Sequence, residues 1–387
     1  MKKRKLSEDV MKDGGSGFSD PVHVGRPNVG DKQAFLNYVD GIFERNWLTN
    51  DGELVRELER QVATYHDVRH CIAMCNGTIA LEIAIRALGL EGEVIVPSYT
   101  FVATAHALHW QAIRPVFADI DPNTHNLDPR SVERMITPRT TGIIGVHLWG
   151  RPAPVEELKA IADNHGIKLM FDAAHAFGCS SDCKMVGSFG NCEVLSFHAT
   201  KFFNTFEGGA VLTNDDELAE TLRLMRNFGF SGMDNVIHPG TNGKMTEIAA
   251  AMGLVNLKGI DEVIECNRRN YEVYQSEFSD VPGIKMLSYS NSEKNNYQYV
   301  VIEVGDEFPA SRDEVVKRLN EKNVRARKYF WPGCHNMTPY KDLYPDAGSS
   351  LPETVAIAER VVVLPTGMTL SAESVRKIAT IVKTFQG

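Results

Sequence analysis

Two stretches decide how this chain is built: Ile167-Lys168-Leu169-Met170-Phe171-Asp172-Ala173-Ala174-His175 and Val194-Leu195-Ser196-Phe197-His198-Ala199-Thr200-Lys201. Each is an apolar run of strand length that ends in small or polar residues. Asp172 follows the first run directly, and the polar turn after the second ends on one amine, Lys201. A carboxylate at the end of a core strand is costly without a partner. An amine held in such a place is desolvated, which lowers its pKa and makes it nucleophilic.

The surroundings of these stretches repeat the pattern. Between Cys71 and Thr213 the chain alternates short apolar runs (71–75, 93–97, 115–119, 142–148, 167–171, 193–197, 209–213) with helical periodicity near 79–88, 102–112, 130–136, 154–165 and 215–228. Such alternation predicts an α/β fold with a mostly parallel seven-stranded sheet covered on both faces. In open sheets of that kind the ligand crevice lies at the carboxyl ends of the strands, where Asp172 and Lys201 fall. A lysine for an imine and an acid that keeps a pyridine nitrogen protonated are the two groups pyridoxal phosphate needs. On these two residues alone, a buried salt bridge, an N-cap aspartate and a solvated lysine remain open.

Two further elements fit the same crevice. Cys71–Cys75 reads as a strand followed by Asn76-Gly77-Thr78 and a helix, so Gly77 lets a phosphate approach the backbone and Thr78 adds a hydroxyl at a helix N-terminus. Ser196 can add another hydroxyl. Val94-Ile95-Val96-Pro97 leads into Ser98-Tyr99-Thr100-Phe101, which sets an aromatic ring at a strand end; Phe101 is the ring expected to stack on a flat cofactor, with Tyr99 in reserve.

Asn76-Gly77-Thr78, Pro97-Ser98-Tyr99-Thr100-Phe101-Val102-Ala103-Thr104, Phe171-Asp172-Ala173-Ala174-His175-Ala176, Ser196-Phe197-His198-Ala199-Thr200-Lys201, Glu207-Gly208-Gly209-Ala210 and Gly240-Thr241-Asn242-Gly243-Lys244-Met245-Thr246-Glu247 occur in this order. Together they resemble the DegT/DnrJ/EryC1/StrS sugar aminotransferases, of the aspartate-aminotransferase fold (fold type I), over about residues 21 to 387. The resemblance implies pyridoxal 5'-phosphate as cofactor, with Lys201 carrying it, Asp172 at its ring nitrogen and His175 near its phenolic oxygen. It also implies Phe101 on the ring and Gly77, Thr78 and Ser196 at the phosphate. Asn242 would reach the phosphate of a neighbouring subunit, which implies a homodimer with shared active sites. Relatives that act as 3-dehydratases carry histidine where this chain has Lys201, so the resemblance implies transamination, with L-glutamate as amino donor. The stretches Val22–Asn28 and Trp47–Asn50 look like relatives that aminate C4 of a thymidine-diphosphate 4-keto-6-deoxyhexose. Amination at C3, a non-catalytic pyridoxal-phosphate regulator and an amino-acid aminotransferase are the alternatives. The loop Ser181-Asp182-Cys183-Lys184-Met185 departs from the small Gly-containing turn usual in the family.

Substrate contacts are expected from Trp47, Thr49, Asn50, Trp149, Lys328 and Tyr329, which lie in loops mixing rings, polar groups and cations. The domain division expected is a disordered segment 1–20, rich in charge, Gly and Ser, a cofactor-binding domain 21–260 and a smaller α+β domain 261–387. In the last of these, 296–304 and 324–330 read as strands, and 311–322 and Ser371–Phe385 as helices. The 387 residues carry 41 Lys+Arg against 50 Asp+Glu, a net charge of −9 with no basic patch for nucleic acid. No apolar run is long enough to span a membrane, and no signal peptide follows Met1-Lys2-Lys3-Arg4-Lys5. Seven cysteines, without a CxxC pair, fit a reducing cytoplasm and give no zinc spacing, so no metal is expected.

Overall fold

The computed structural model describes residues 17–386. Its centre is a seven-stranded sheet of β1 (His70–Met74), β2 (Glu93–Pro97), β3 (Arg114–Ala118), β4 (Thr140–Val146), β5 (Lys168–Asp172), β6 (Cys192–Ser196) and β7 (Gly209–Thr213). The strand order is β1-β7-β6-β5-β4-β2-β3. Only β7 runs antiparallel to its neighbours. These strands are apolar without strict alternation because both faces are covered. In β5, Leu169 and Phe171 enter one core while Met170 enters the core on the other face.

The first of those cores is closed by α1 (Lys32–Arg45), α2 (Glu53–Tyr65) and later helices, the second by α3 (Gly77–Ala87) and α4 (Ala103–His109) among others. α5 (Pro129–Met135) and α6 (Val155–His165) complete the crossovers, and α7 (Asp216–Met225) and α8 (Glu247–Lys258) follow the sheet. Each helix that begins near the crevice has its own start signal. Asn76 caps α3 by accepting from Ile79 N, and Thr246 caps α8 by accepting from Ala249 N.

The long helix α9 (Ile260–Phe278) leads into a second, antiparallel sheet of β8 (Ile284–Met286), β9 (Val300–Val304) and β10 (Val361–Leu364). Its core holds Tyr274, Val300, Ile302, Leu319, Val362 and Ile378. Segments 284–286 and 361–364 add strands that periodicity did not single out, being only three and four residues long. The expected strand 324–330 is regular only at Val324–Arg325, which pairs in parallel with Val22–His23. Beyond it a single bridge links Arg327 to Val363, and the chain turns as Phe330 packs among Tyr99, Trp149 and Tyr299.

Of the expected disordered segment, residues 1–16 lie outside the described residues. Phe18 is not free: its N–H donates to Lys322 O at 2.9 Å and Lys377 Nζ sits over its ring, because this aromatic side chain packs on the core of the antiparallel sheet β8–β9–β10. The N-terminal strand thus runs with the second sheet's neighbourhood before the chain enters α1. Among the described residues no helix is long and apolar enough to cross a membrane.

Candidate active site

Strand polarity gathers the site. Gly209, the first residue of antiparallel β7, pairs with Met74 at the end of β1 and with Ser196 at the end of β6. The segments after β1, β2, β5 and β6 therefore open at one edge of the sheet, where Gly77, Phe101, Asp172 and Lys201 lie.

Lys201 is half-buried, and its Nζ lies 3.4 Å from Tyr299 Oη and 6.0 Å from the centre of that ring. Burial lowers its pKa to about 8, against the opposing pull of Asp172 and Tyr329. Asp172 is buried, and its two oxygens accept from neutral donors alone: Oδ2 from Thr104 Oγ1 at 2.8 Å and Oδ1 from Ala174 N at 3.1 Å. Burial pushes its pKa up, while those donors, Lys201 and His147 pull it down. Among the described residues the carboxylate has no ion pair, an expensive state for a buried charge.

His175 is buried beside them. Its ring stands 4.5 Å from that of Tyr299 and stacks near Phe330 and Trp149. Its Nδ1 accepts from the backbone N–H of Trp149 at 3.3 Å. Burial, helped by Lys201, holds its pKa well below the ordinary histidine range.

The β1–α3 turn has the close backbone packing of a phosphate cradle. A Cβ on Gly77 would sit 3.1 Å from Ser196 Cβ, and one on Gly209 would sit 2.7 Å from Gly77 N. Asn76 takes only the Ile79 N–H of the first turn, so the Gly77 and Thr78 N–H groups meet no acceptor among the described residues. Ser196 is half-buried at the same edge. Phe101 exposes 56 % of its surface, with its edge toward Phe330, whereas Tyr99 is fully buried and donates to Tyr329 O at 2.7 Å.

The substrate residues expected from loops divide. Tyr329 is half-buried, close enough to Lys201 for the two to influence each other's ionisation. Lys328 is committed to Asp313 at 2.6 Å and lies over Trp331. Trp149 is completely buried, its ring stacked on Phe330 and near that of His175, because its strand end turns inward. Trp47 Nε1 donates to Thr49 O, and Asn50 helps line a cavity of about 190 Å³ with Asp51, Arg226, Asn227 and Lys244. Asn242 is exposed and bridged to Asn227.

Sequence reasoning did not assign two residues of the site. Tyr299 arrives from the second sheet, 98 positions from Lys201. Thr104 stands one turn into the segment that carries Phe101, and a hydroxyl there at helical spacing could have been read as a partner for a crevice carboxylate.

Residues 30–383 match the model of the DegT/DnrJ/EryC1/StrS aminotransferase family. The chain belongs to that family. It is 38 % identical over 365 residues to the dTDP-4-amino-4,6-dideoxy-D-glucose transaminase of Shigella dysenteriae, covering 94 % of this chain and 98 % of the relative. The Escherichia coli protein of the same name is 37 % identical over 92 % of this chain and 96 % of its own. Among solved structures, DesI, crystallised in the presence of its TDP-sugar product, superimposes with a TM-score of 0.91 at 46 % identity, over 95 % of this chain and 94 % of DesI. The family member is an aminotransferase of the α/β class expected from the strand alternation.

Proposed function

We propose that this aminotransferase uses pyridoxal phosphate to move an amino group from L-glutamate to C4 of a TDP-4-keto-6-deoxy-D-glucose, giving TDP-4-amino-4,6-dideoxy-D-glucose. The observation that carries the reading is the half-buried Lys201 amine, with its pKa lowered to about 8, facing a buried Asp172 that has only neutral donors. The likeness to two transaminases named for the 4-amino sugar, and to DesI with its TDP-sugar product, supports the substrate class.

The residues fit the cofactor. A carboxylate buried without a cation suits a protonated ring nitrogen. The Gly77–Gly209 approach and the free first-turn donors of α3 suit a phosphate, with Thr78 and Ser196 as hydroxyl partners. Phe101 offers an exposed face for stacking, and His175 a buried polar edge. When bound, pyridoxal phosphate supplies an electron sink for the exchange of nitrogen between the two substrates.

The chain's own residues supply the rest. Lys201 Nζ, whose pKa lowered to about 8 leaves a larger free-base fraction than an ordinary lysine has, takes a proton from the donor's α-carbon and returns one to the sugar carbon. Tyr299 Oη, 3.4 Å away, orients that amine. Asp172 holds a positive ring nitrogen in place through its fixed carboxylate, and Thr104 keeps the carboxylate's rotamer. Tyr329, Trp47, Thr49 and Asn50 are assigned to the sugar-nucleotide side.

A second copy completes the site in this reading. Asn242 lies at the foot of a hairpin in which Phe230 pairs with Val236, and Phe228, Phe230, Met233, Val236 and Ile237 are all exposed. Apolar side chains exposed together on one arm favour burial against another chain. Asn242 then reaches the phosphate of the neighbouring site.

The test is incubation with L-glutamate and a panel of nucleotide ketosugars, with mass and NMR assignment of the product. Nitrogen at C4 of the TDP-linked sugar supports the reading. Nitrogen at C3, or loss of the C3 hydroxyl without nitrogen, overturns it.

A further inference from the structure

Trp149 is a large side chain in the left-handed region, with φ 63° and ψ 8°, where non-glycine residues seldom sit. Gly150 follows at φ 82°, so close to the site that a Cβ there would meet His175 O at 2.9 Å. This turn aims both N–H groups of Trp149 at histidines. The backbone N–H donates to His175 Nδ1 at 3.3 Å, and the indole Nε1–H donates to His125 Nδ1 at 3.2 Å. The other nitrogen of His125 stands 3.2 Å from Glu303 Oε1 on β9, in the second sheet.

An amide N–H and an indole N–H donate and cannot accept. Each histidine nitrogen that faces one must therefore be bare, and the ring's single proton is sent to Nε2. In His125 that proton meets Glu303. In His175, Nε2 finds no hydrogen-bond partner among the described residues, so its N–H is left for a ligand. A second proton on either ring would set two donors against each other.

We propose that Trp149 is a positioning residue that fixes the proton pattern of two buried histidines, keeping both neutral and making His175 present Nε2–H as a hydrogen-bond donor in the crevice beside Lys201. It rests on the proposed function only in what receives that bond, the anionic ring oxygen of the cofactor. The groups facing His175 are Lys201 and Tyr299. Those facing His125 are Glu303, Lys285, Arg151 and Tyr99. The lysines and arginine oppose a second proton and Glu303 favours one on His125, so the two N–H donors of Trp149 weigh on that balance.

The experiment is 15N NMR of the full-length, cofactor-loaded protein with labelled histidine, titrated from about pH 6 to about pH 9, with His175→Gln and His125→Gln for assignment. Expected in the parent are pyrrole-type Nε2 and pyridine-type Nδ1 signals for both rings, with no titration. Trp149→Phe keeps the backbone donor and the ring stack but removes the indole N–H. In that variant His175 is expected unchanged, while Nδ1 of His125 loses its donor, so the His125 15N signals shift and the second tautomer becomes populated. Trp149→Val disfavours the left-handed backbone and is expected to release His175 as well. A protonated Nδ1 on His175 in the parent, or His125 signals that stay unchanged in a folded Trp149→Phe, overturns the inference. The absorbance change on adding glutamate, read on the same samples, separates the two claims. Transamination with the wrong histidine pattern sinks only this inference, and the right pattern without transamination sinks only the proposed function.

Discussion

Asp172 and Glu193 are two buried carboxylates on neighbouring strands, β5 and β6, one register step apart, and they are provided for in opposite ways. Glu193 is closed. Its Oε1 accepts from Gly187 N at 2.6 Å and Phe189 N at 2.7 Å, and its Oε2 lies 2.9 Å from His147 Nε2. His147 in turn accepts from Ala153 N on Nδ1 and stacks on Phe171 at 4.6 Å. Asp172, at the strand end, has two neutral donors and looks toward an amine it does not reach. A buried charge whose partners are all supplied by the chain holds the fold together. One left partly unsatisfied is kept for something the chain binds.

The contrast can be broken by experiment. The largest effect is expected at the amine itself. Lys201→Ala retains the fold and binds cofactor, but turnover of glutamate falls by at least about 10⁴-fold, measured by single-turnover absorbance; retained activity removes the mechanism.

Next come the two carboxylates, which should behave as mirror images. Asp172→Asn is expected to lose about 10²–10³-fold in turnover while the cofactor-free protein stays at least as stable as the parent. The sign follows from burial, which raises the folded pKa of Asp172 above its unfolded value. The folded chain then keeps the proton longer than the unfolded one. The parent's stability falls as pH rises from the unfolded carboxylate value through the raised folded one. Asp172→Asn abolishes that fall, so the two proteins match at low pH and the variant leads above the window. Glu193→Gln instead is expected to cost about 3–5 kcal/mol in urea denaturation, with activity per folded molecule kept. If both variants lose stability alike, or both lose turnover alike, the division between closed and open carboxylate is wrong.

Thr104→Val probes the open one more gently. Losing a hydroxyl donor to a charged group costs about 1.5–3 kcal/mol of that interaction. Asp172 then holds its proton to higher pH, so the acid limb of the activity profile moves upward. The smallest effect is expected at Phe101→Ala. An exposed ring contributes little to stability, and its stacking accounts for about a 2- to 10-fold change in cofactor affinity, read by equilibrium dialysis.

Much of this was legible in the chain. All seven strands of the large sheet lie within about two residues of their predicted positions, because a strand buried on both faces must be apolar throughout and is punctuated by polar turns. Asp172, Lys201 and Gly77 could be singled out for the same reason: an ionisable or flexible residue immediately after such a run is out of place unless it serves something. The loops were harder. Trp149 looked like a surface ring because its neighbours are Gly150 and Arg151, yet a left-handed turn carries it fully inside. The second sheet was blurred because strands of three and four residues have too few turns of pattern to register.

The sequence by itself determined the order of strands and helices and which residues stand at strand ends. These follow from local period and from the cost of burying charge, both readable along the chain. Only the tertiary structure decided what those residues meet. Antiparallel β7 brings Gly209 against Gly77, the second sheet delivers Tyr299 to Lys201 and Glu303 to His125, and one turn at Trp149 orients two histidines. Such pairings join residues tens to hundreds of positions apart. They depend on how elements pack, and no local pattern records that.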